Sequence, residues 1–394
     1  MELEIGNRPI IVYGAGTQNL RLAYQMLDAA GIDILYIVDR DTQKQGKSFW
    51  GTKIISPEKL CAFDREQSND YTIIITVRTE TTIREIMQFA AQLHHAEVTT
   101  FEQFAIEKQL NSRFIKINMI QTHVTDHCNL NCARCSHLSP ISEDYFLDEG
   151  EFEASARRLS ELLGDELHEY QLAGGEPLLH PQCYSFPYII RKYFPKTDIV
   201  IVTNGTLLKH ADEKFFSSCR NNHVELWVTV YPIRLDYEQV RAKLKAEKVK
   251  HVIGNSGVED GTIKEMWGSA YHLINDRHGQ ENFERCFSRC FMLRGRRMYI
   301  CAQGAYSDIL NKAFGTSLPQ LEENSVDIFA VKDREELVRK IKQKIPFCDY
   351  CNSIHRQKSI PFTISKREIT EWVDPASLTE EDLKKYGGHA HGQS

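Results

Sequence analysis

The chain lacks the features of a membrane, secreted or nucleic-acid-binding protein. No apolar run approaches the roughly 20 residues that a membrane-spanning helix needs. The first residues, Met1–Glu4, are acidic and lack the basic-then-apolar layout of a signal peptide. With 48 basic and 54 acidic residues the formal charge is −6, which provides no basic surplus for nucleic acid. We therefore expect a cytoplasmic protein without a membrane span or a nucleic-acid partner.

Cysteine is scarce in the first third of the chain and abundant afterwards. Of eleven cysteines in 394 residues, only Cys61 precedes residue 128. A reducing cytosol argues against a disulfide framework, so clustered cysteines indicate metal or redox chemistry. At roughly 150 residues per domain, the length predicts two or three domains. The 42% apolar content is ordinary for a globular protein.

The first hundred residues alternate between apolar strands and helical patterns, which predicts a Rossmann-like parallel sheet. The predicted strands are Pro9–Tyr13, Ile34–Val38 and Tyr71–Val77. The turn Gly14-Ala15-Gly16, with Asp39 downstream, partly matches a dinucleotide-binding fingerprint, but Asn19 occupies the third glycine position. We therefore favour a Rossmann-like fold without a bound dinucleotide. Together with the stretch Gly51–Pro57, the segment resembles a nucleotide-binding-like domain appended to sugar-modifying and capsule-assembly proteins.

A longer βα series begins near Phe114 and predicts an open or partial barrel. The predicted strands are Phe114–Val124, Glu169–Ala173, Asp198–Thr203 and Val224–Tyr231, and the predicted helices are 152–163, 182–193, 211–219 and 236–248. After about residue 285 the alternation ends, and glycine, cysteine and charged residues dominate. The last eight residues, Gly387–Ser394, predict a mobile tail.

The strongest motif is a cysteine triplet directly after a predicted strand. Cys128, Cys132 and Cys135 have the spacing C-x3-C-x2-C. Three thiolates on one loop can ligate three irons of a [4Fe–4S] cluster and leave the fourth iron open to a small molecule. The spacing alone also allows a closed zinc site with one histidine. The candidate histidines are His123, His127 and His137.

Two further motifs, Gly174-Gly175-Glu176-Pro177 and Thr203-Asn204-Gly205, end the next two predicted strands. With the triplet, they make the sequence resemble the radical SAM superfamily. The resemblance implies a partial (β/α)6 barrel, reductive cleavage of S-adenosylmethionine to a 5′-deoxyadenosyl radical, and an external one-electron reductant such as flavodoxin or ferredoxin. The residues implied in binding S-adenosylmethionine are Gly174, Gly175, Glu176, Thr203 and Asn204. The chain departs from the family at Arg134, where many members place an aromatic residue near the adenine.

Five more cysteines lie in the last third of the chain: Cys286, Cys290, Cys301, Cys348 and Cys351. Four thiolates would ligate every iron of a second cluster. A predicted hairpin turning near Gly295, followed by a distant C-x2-C pair, resembles the Twitch domain, a short relative of the SPASM domain that carries one auxiliary [4Fe–4S] cluster. The resemblance implies Cys301, Cys348 and Cys351 as ligands, with either Cys286 or Cys290 as the fourth. Structural zinc is the alternative.

These observations predict an α/β chain with four segments. They are a Rossmann-like, nucleotide-sugar-binding-like domain (1–110), a radical SAM core (111–284), a small cysteine-rich α+β auxiliary-cluster domain (285–360) and a C-terminal tail (361–394). The leading hypothesis is an enzyme that oxidises, dehydrates or epimerises a polar small molecule, either a sugar or a nucleotide-linked sugar. A peptide-modifying maturase and a zinc-bearing scaffold without enzyme activity are the alternatives.

Overall fold

The computed structural model describes most of the chain, in two compact units that comprise residues 1–116 and 117–394. The described residues are 8–15, 18–77, 80–108, 110, 116–255, 258–259, 265–266, 268–275, 278–286, 290–353 and 360–386. The predicted strand start at Phe114 and the predicted tail Gly387–Ser394 lie outside them. Within these ranges, no helix is both long enough and apolar enough to cross a bilayer.

The first unit is a six-stranded sheet with helices between its strands. Its strands are β1 (Ile10–Tyr13), β2 (Ile34–Val38), β3 (Ser48–Phe49), β4 (Thr52–Ile55), β5 (Tyr71–Ile75) and β6 (Ala96–Thr100). Its helices are α1 (Gln18–Ala29), α2 (Pro57–Glu66), α3 (Glu80–Ala90) and α4 (Phe101–Glu107). The sheet order is β3-β4-β2-β1-β5-β6, and every pair except the β3–β4 hairpin is parallel. β1 and β5 are buried throughout, as expected for central strands of a parallel sheet.

A buried carboxylate joins three parts of this unit. Asp64 on α2 accepts hydrogen bonds from the Tyr71 hydroxyl (3.0 Å) and from the backbone N–H groups of His94 (2.8 Å) and His95 (3.0 Å). Burial alone would raise the pKa of Asp64, but these three donors outweigh it and hold that pKa below its ordinary value. Asp64 therefore links α2 to β5 and to the turn before β6.

The second unit contains a nine-stranded sheet and a two-stranded one. Its strands are β7 (Met119–Thr125), β8 (Glu169–Gly174), β9 (Asp198–Thr203), β10 (Val224–Thr229), β11 (Lys250–Asn255), β12 (Val258–Glu259), β13 (Glu265–Met266), β14 (Met292–Arg294), β15 (Arg297–Tyr299), β16 (Ser325–Asp327) and β17 (Ile360–Pro361). The order of the large sheet is β12-β11-β10-β9-β8-β7-β14-β15-β16, and β13 pairs with β17. β7 to β11 are consecutive and parallel, whereas β12 turns back antiparallel.

The described residues of the second unit also form nine α-helices. They are α5 (Glu149–Leu163), α6 (Phe186–Tyr193), α7 (Glu213–Asn221), α8 (Tyr237–Ala246), α9 (Gly279–Arg285), α10 (Ala302–Ala305), α11 (Ser307–Phe314), α12 (Arg334–Ile341) and α13 (Glu380–Tyr386). Phe152 of α5 packs edge-on against Tyr170 of β8 and Phe186 of α6. The predicted α/β class is confirmed.

Several element boundaries differ from the sequence expectation by a few residues. The strand predicted to reach Tyr231 ends at Thr229, and the helix predicted from residue 182 begins at Phe186. A short 3₁₀ turn, Pro177–Leu179, precedes that helix, and Pro187 lies in its first turn, where proline lacks only an unneeded N–H.

Candidate active site

The cysteine triplet lies on the loop that leaves β7 at its carboxyl end; residues 126–138 are the triplet loop. Burial, with a smaller contribution from the neighbouring thiols of the triplet, raises the pKa of Cys128 and of Cys132 to about 12. Each of these two thiols is therefore within electrostatic reach of the other triplet cysteines. Buried thiols of this kind stay protonated unless a cation replaces the proton.

The end of β8 rests directly on the start of the triplet loop. The backbone N–H of Gly175 donates to the Thr125 carbonyl, and that of Glu176 donates to the His127 carbonyl, both at 2.8 Å. A Cβ on Gly174 would lie 2.1 Å from the Thr125 oxygen, and one on Gly175 would lie 2.0 Å from the His127 oxygen. Both obstacles are main-chain atoms, so no side chain fits at either glycine.

Glu176, predicted to receive the amino group of S-adenosylmethionine, is fully buried (0% exposed). Its carboxylate accepts hydrogen bonds from the Thr203 hydroxyl (2.6 Å), the Asn204 N–H (2.8 Å) and the Leu178 N–H (3.2 Å). Burial raises the pKa of Glu176 to about 7, although these donors act against the rise. The carboxylate thus ties the end of β8 to the end of β9. Its predicted contact with a ligand stays a prediction.

The Asn204 side chain connects the end of β9 to the triplet loop. Its Nδ2 donates to Asn129 Oδ1 at 2.8 Å and lies 3.9 Å from Cys128 Sγ. Its Oδ1 accepts from the backbone N–H and the hydroxyl of Thr206. The predicted residues at the ends of β8 and β9 therefore lie next to the predicted cysteines.

A C-terminal segment crosses the triplet loop; residues 360–374 are the strap. The Ala133 N–H donates to the Thr363 carbonyl (2.9 Å), and the Ser365 N–H donates to the Asn131 carbonyl (2.8 Å). The Trp372 indole N–H donates to the Cys135 carbonyl at 2.9 Å. Sequence reasoning assigned this segment to a tail. The apolar Ile369, Trp372 and Val373, all buried, were the signal for a packed element.

Three histidines lie in or next to the triplet loop: His123, His127 and His137. His123 stacks on Tyr306 with ring centroids 4.2 Å apart, and its Nδ1 lies 3.1 Å from Asp126 Oδ1. Burial lowers the pKa of His137 to about 3, so its imidazole is neutral. His127 instead faces Asp144 at 2.9 Å. Among the described residues, no three Cys, His, Asp or Glu side chains converge where one metal ion would bind. A cubane cluster does not need such convergence, because each thiolate binds a different iron.

Four of the five later cysteines line one small cavity, the C-terminal thiol cavity. They are Cys286, Cys301, Cys348 and Cys351. Burial holds the pKa of Cys301 well above its ordinary value, and the other three thiols raise it further. Cys290, the alternative ligand from the sequence, does not line the cavity; like Cys301 and Cys351, it packs against the hydrophobic cluster that contains Tyr271 and Trp372. Asn282 donates to the carbonyls of Cys348 (2.9 Å) and Cys351 (3.1 Å), which supports this turn.

A polar cavity of about 250 Å³ lies beside the triplet loop. Its charged lining residues are Asp126, Glu143, Asp144, Arg294, Asp308, Lys312 and Arg367. The Arg294 guanidinium binds both carboxylate oxygens of Asp308, at 2.7 and 3.0 Å. Asp126, at the end of β7, is 3% exposed and brings a buried carboxylate to the wall. The cavity thus presents donors and acceptors of both charges.

In the first unit, the side chain of Asp39 binds the glycine turn that follows β1. Asp39 Oδ2 accepts from the Ala15 N–H at 2.7 Å, and Oδ1 accepts from the Asp41 N–H at 2.8 Å. Gly16 lies outside the described residues. In this geometry Asp39 closes the turn after β1 against the end of β2.

Comparison with known proteins gives matches to different parts of the chain. The C2185-like N-terminal family matches residues 6–92. The GTP 3′,8-cyclase of Nautilia profundicola is 29% identical over 99 residues, which is 25% of this chain and 31% of that protein. That of Campylobacter jejuni strain RM1221 is 33% identical over 96 residues, 24% of this chain and 29% of that protein. The chain therefore matches less than a third of the length of these curated relatives.

Among solved structures, the chain resembles BtrN in complex with AdoMet and 2-DOIA. The identity is 18% and the TM-score 0.38, over 60% of this chain and 93% of that one. Native anSMEcpe with bound AdoMet is 14% identical with a TM-score of 0.35, over 59% of this chain and 89% of that one.

Proposed function

Because the chain belongs to the radical SAM family, we propose that it is an enzyme that cleaves S-adenosylmethionine and abstracts a hydrogen atom from a polar small molecule. The favoured substrate is a sugar or nucleotide-linked sugar, and the outcome is oxidation, dehydration or epimerisation. The observation that carries the proposal is the triplet loop itself, with three neighbouring cysteines on a loop that the ends of β8 and β9 hold.

The donor set fits a [4Fe–4S] cluster with one open iron. Cys128, Cys132 and Cys135 would be its ligands, and their protons would leave as iron binds. When bound, such a cluster supplies the electron that splits S-adenosylmethionine into methionine and a 5′-deoxyadenosyl radical. The protein would position the cluster through the main-chain bonds that Gly175 and Glu176 make to the start of the loop.

The ends of β8 and β9 are the proposed place for S-adenosylmethionine. Ligands of α/β sheets bind at the carboxyl ends of the strands, where the residues Gly174, Gly175, Glu176, Thr203 and Asn204 lie. Asn204, which contacts the triplet loop, is the candidate for the ribose hydroxyls. Both carboxylate oxygens of Glu176 already accept hydrogen bonds from the end of β9. The same carboxylate would therefore bind the amino group and join β8 to β9.

The polar cavity supports a small polar substrate over a peptide. It adjoins the triplet loop through Asp126 and carries both cationic and anionic groups, which suit the hydroxyl and amino groups of a sugar. Donors such as Arg367 and acceptors such as Asp126 face the same space. A peptide maturase remains the alternative, and its test is binding of a short precursor peptide by this chain.

The C-terminal thiol cavity is the proposed auxiliary cluster site. Four thiolates leave no iron open, so Cys286, Cys301, Cys348 and Cys351 support electron transfer rather than substrate activation. A cluster held by these four residues would supply a one-electron acceptor. An external one-electron reductant such as flavodoxin or ferredoxin would supply the triplet site.

The test is an anaerobic assay of the iron-reconstituted full chain with dithionite and S-adenosylmethionine. We expect 5′-deoxyadenosine and about eight irons per chain. Replacement of Cys128, Cys132 and Cys135 together by alanine should abolish 5′-deoxyadenosine and remove about four irons, whereas Cys61→Ala should change neither. A wild-type chain that binds zinc instead, or that makes no 5′-deoxyadenosine, overturns the proposal.

A further inference from the structure

Two buried aromatic residues connect the triplet loop to the C-terminal thiol cavity. Trp372 of the strap is 3% exposed, and its indole N–H donates to the carbonyl of Cys135 at 2.9 Å. A buried indole N–H needs an acceptor, because its burial without one is costly. Trp372 therefore holds the last cysteine of the triplet through the main chain.

Tyr271 continues the connection on the other side of Trp372. Its backbone N–H donates to the Trp372 carbonyl (3.1 Å), and its carbonyl accepts from the Asp374 N–H (2.9 Å). The same residue forms a β-bridge with Cys351. Its ring packs edge-on against Phe347, next to Cys348, with ring centroids 5.5 Å apart. Trp372 and Tyr271 thus connect the main chain of Cys135 with that of Cys351.

The electrostatics of Tyr271 agree with this placement. Burial raises the pKa of its hydroxyl well above the ordinary value, and Cys301, Cys351 and, more weakly, Cys135 raise it further. Thiols of both cysteine sites are therefore within electrostatic reach of one side chain.

The triplet loop needs such a support because its backbone is unfavourable on both sides of Cys135. Arg134 and Leu138 both have φ of 59°, in the left-handed region that residues other than glycine rarely adopt. The Leu138 N–H closes the turn on the Cys135 carbonyl at 3.0 Å, the same oxygen that Trp372 binds. Strained backbone persists only where its surroundings over-determine it.

We propose that Trp372 is a positioning residue for the triplet loop, and that the Trp372–Tyr271 pair makes the geometry of that loop depend on the C-terminal thiol site. Filling the C-terminal site fixes the turn around Cys351, and the fixed turn steadies Tyr271, Trp372 and then Cys135. The proposal rests on the proposed function only in naming iron clusters as the occupants of the two sites.

The first test measures alkylation of each cysteine in the metal-free full chain by mass spectrometry. Trp372→Phe keeps an aromatic ring but removes the donor. We expect Cys135 to react about fivefold faster, the factor that corresponds to one lost hydrogen bond, with Cys61 and Cys183 unchanged. Trp50→Phe, in the other unit, is the matched control and should leave Cys135 unchanged. An unchanged Cys135 in Trp372→Phe, or an equal rise at Cys61 and Cys183, overturns the positioning role. This result does not depend on iron.

The second test measures the coupling in the reconstituted protein. Cys351→Ala removes a proposed ligand of the C-terminal site. We expect this change to alter the electron paramagnetic resonance spectrum and the midpoint potential of the triplet cluster, as Trp372→Phe does alone. The double variant should show no larger change than either single one. A triplet spectrum unaffected by Cys351→Ala, or fully additive effects, overturns the coupling. A wild type that binds no iron refutes the proposed function, and the alkylation result still decides the role of Trp372.

Discussion

The two cysteine sites are built in opposite ways. The triplet takes its donors from eight consecutive residues, but β8, β9 and the strap, all distant in sequence, hold the loop. The C-terminal thiol cavity takes its donors from three separate segments, and residues of those same segments hold them together. Asn282, beside Cys286, donates to the carbonyls of Cys348 and Cys351, and the Gly304 N–H donates to Cys301 Sγ. Donor spacing and structural support are therefore independent properties of a cysteine site. Substitutions of residues distant in sequence should therefore disrupt the first site. The second site should be disrupted mainly by substitution of its cysteines.

The largest effect is expected from Gly175→Ala. This substitution changes a residue that contacts the triplet loop and leaves the three cysteines in place. The added Cβ would lie 2.0 Å from the His127 oxygen, so either β8 or the loop must move. We expect a loss of at least about 3 kcal/mol in the free energy of unfolding of the second unit, together with loss of triplet iron.

Gly315→Ala is the control for this change. Gly315 also lies in the second unit and has φ of 66°, but a Cβ there would meet nothing within 4 Å. This substitution should lower the free energy of unfolding by about 1 kcal/mol, because alanine is disfavoured in the left-handed region. The iron content should stay unchanged. Similar stability and iron content in the two variants, measured by urea unfolding and iron assay, would contradict the role given to Gly175.

The next effect distinguishes Cys286 from Cys290 in the C-terminal site. Cys286 lines the thiol cavity, and Cys290 does not. We expect Cys286→Ser to lower the iron content by about four per chain and Cys290→Ser to leave it unchanged. Iron assay and cluster absorbance measure the difference, and iron loss confined to Cys290→Ser would reassign the fourth ligand.

The smallest effect belongs to Asp64→Asn, which should leave both cysteine sites intact. The amide cannot accept all three hydrogen bonds of the carboxylate, so the first unit should lose about 1–3 kcal/mol at neutral pH. Because the folded-state pKa of Asp64 is lowered, its stabilisation is present above the unfolded pKa of 3.8 and is lost as the pH falls through the folded value.

Urea unfolding of the full chain at pH 7 and at pH 3 checks this prediction. The difference between wild type and Asp64→Asn should be largest at pH 7 and should shrink in acid. A difference that grows as the pH falls, or a change in iron content, would show that Asp64 does not act as described.

The limits of sequence reasoning follow from the same contrast. C-x3-C-x2-C and the motifs at the ends of β8 and β9 are local, so spacing and strand order predicted their neighbourhood. The choice between Cys286 and Cys290 depends on the path between α9 and β14, which no periodicity encodes. The strap was missed because Trp372 acts through a main-chain oxygen of Cys135, and backbone partners leave no trace in residue type.

Asp39 and Glu176 show a second limit. Each follows a parallel strand near a glycine turn, the pattern that predicts a carboxylate facing a ligand. Both also accept main-chain N–H groups, from Ala15 in one unit and Asn204 in the other. The motif predicts that the carboxylate lies at the edge of the sheet. Only the folded structure shows which hydrogen-bond donors contact it.

The strap also has a consequence for the order of events during synthesis. Asn131 is hydrogen-bonded to Ser365, 234 positions later, and the Cys135 carbonyl is hydrogen-bonded to Trp372, 237 positions later. When the ribosome has made the triplet, the strands and the strap that shape its loop do not yet exist. At that stage the three thiols of the triplet lie on a loop that has not yet folded. The finished geometry forms only after the ribosome has added those later residues, so insertion of the proposed cluster into that geometry would be a late step in the maturation of the protein.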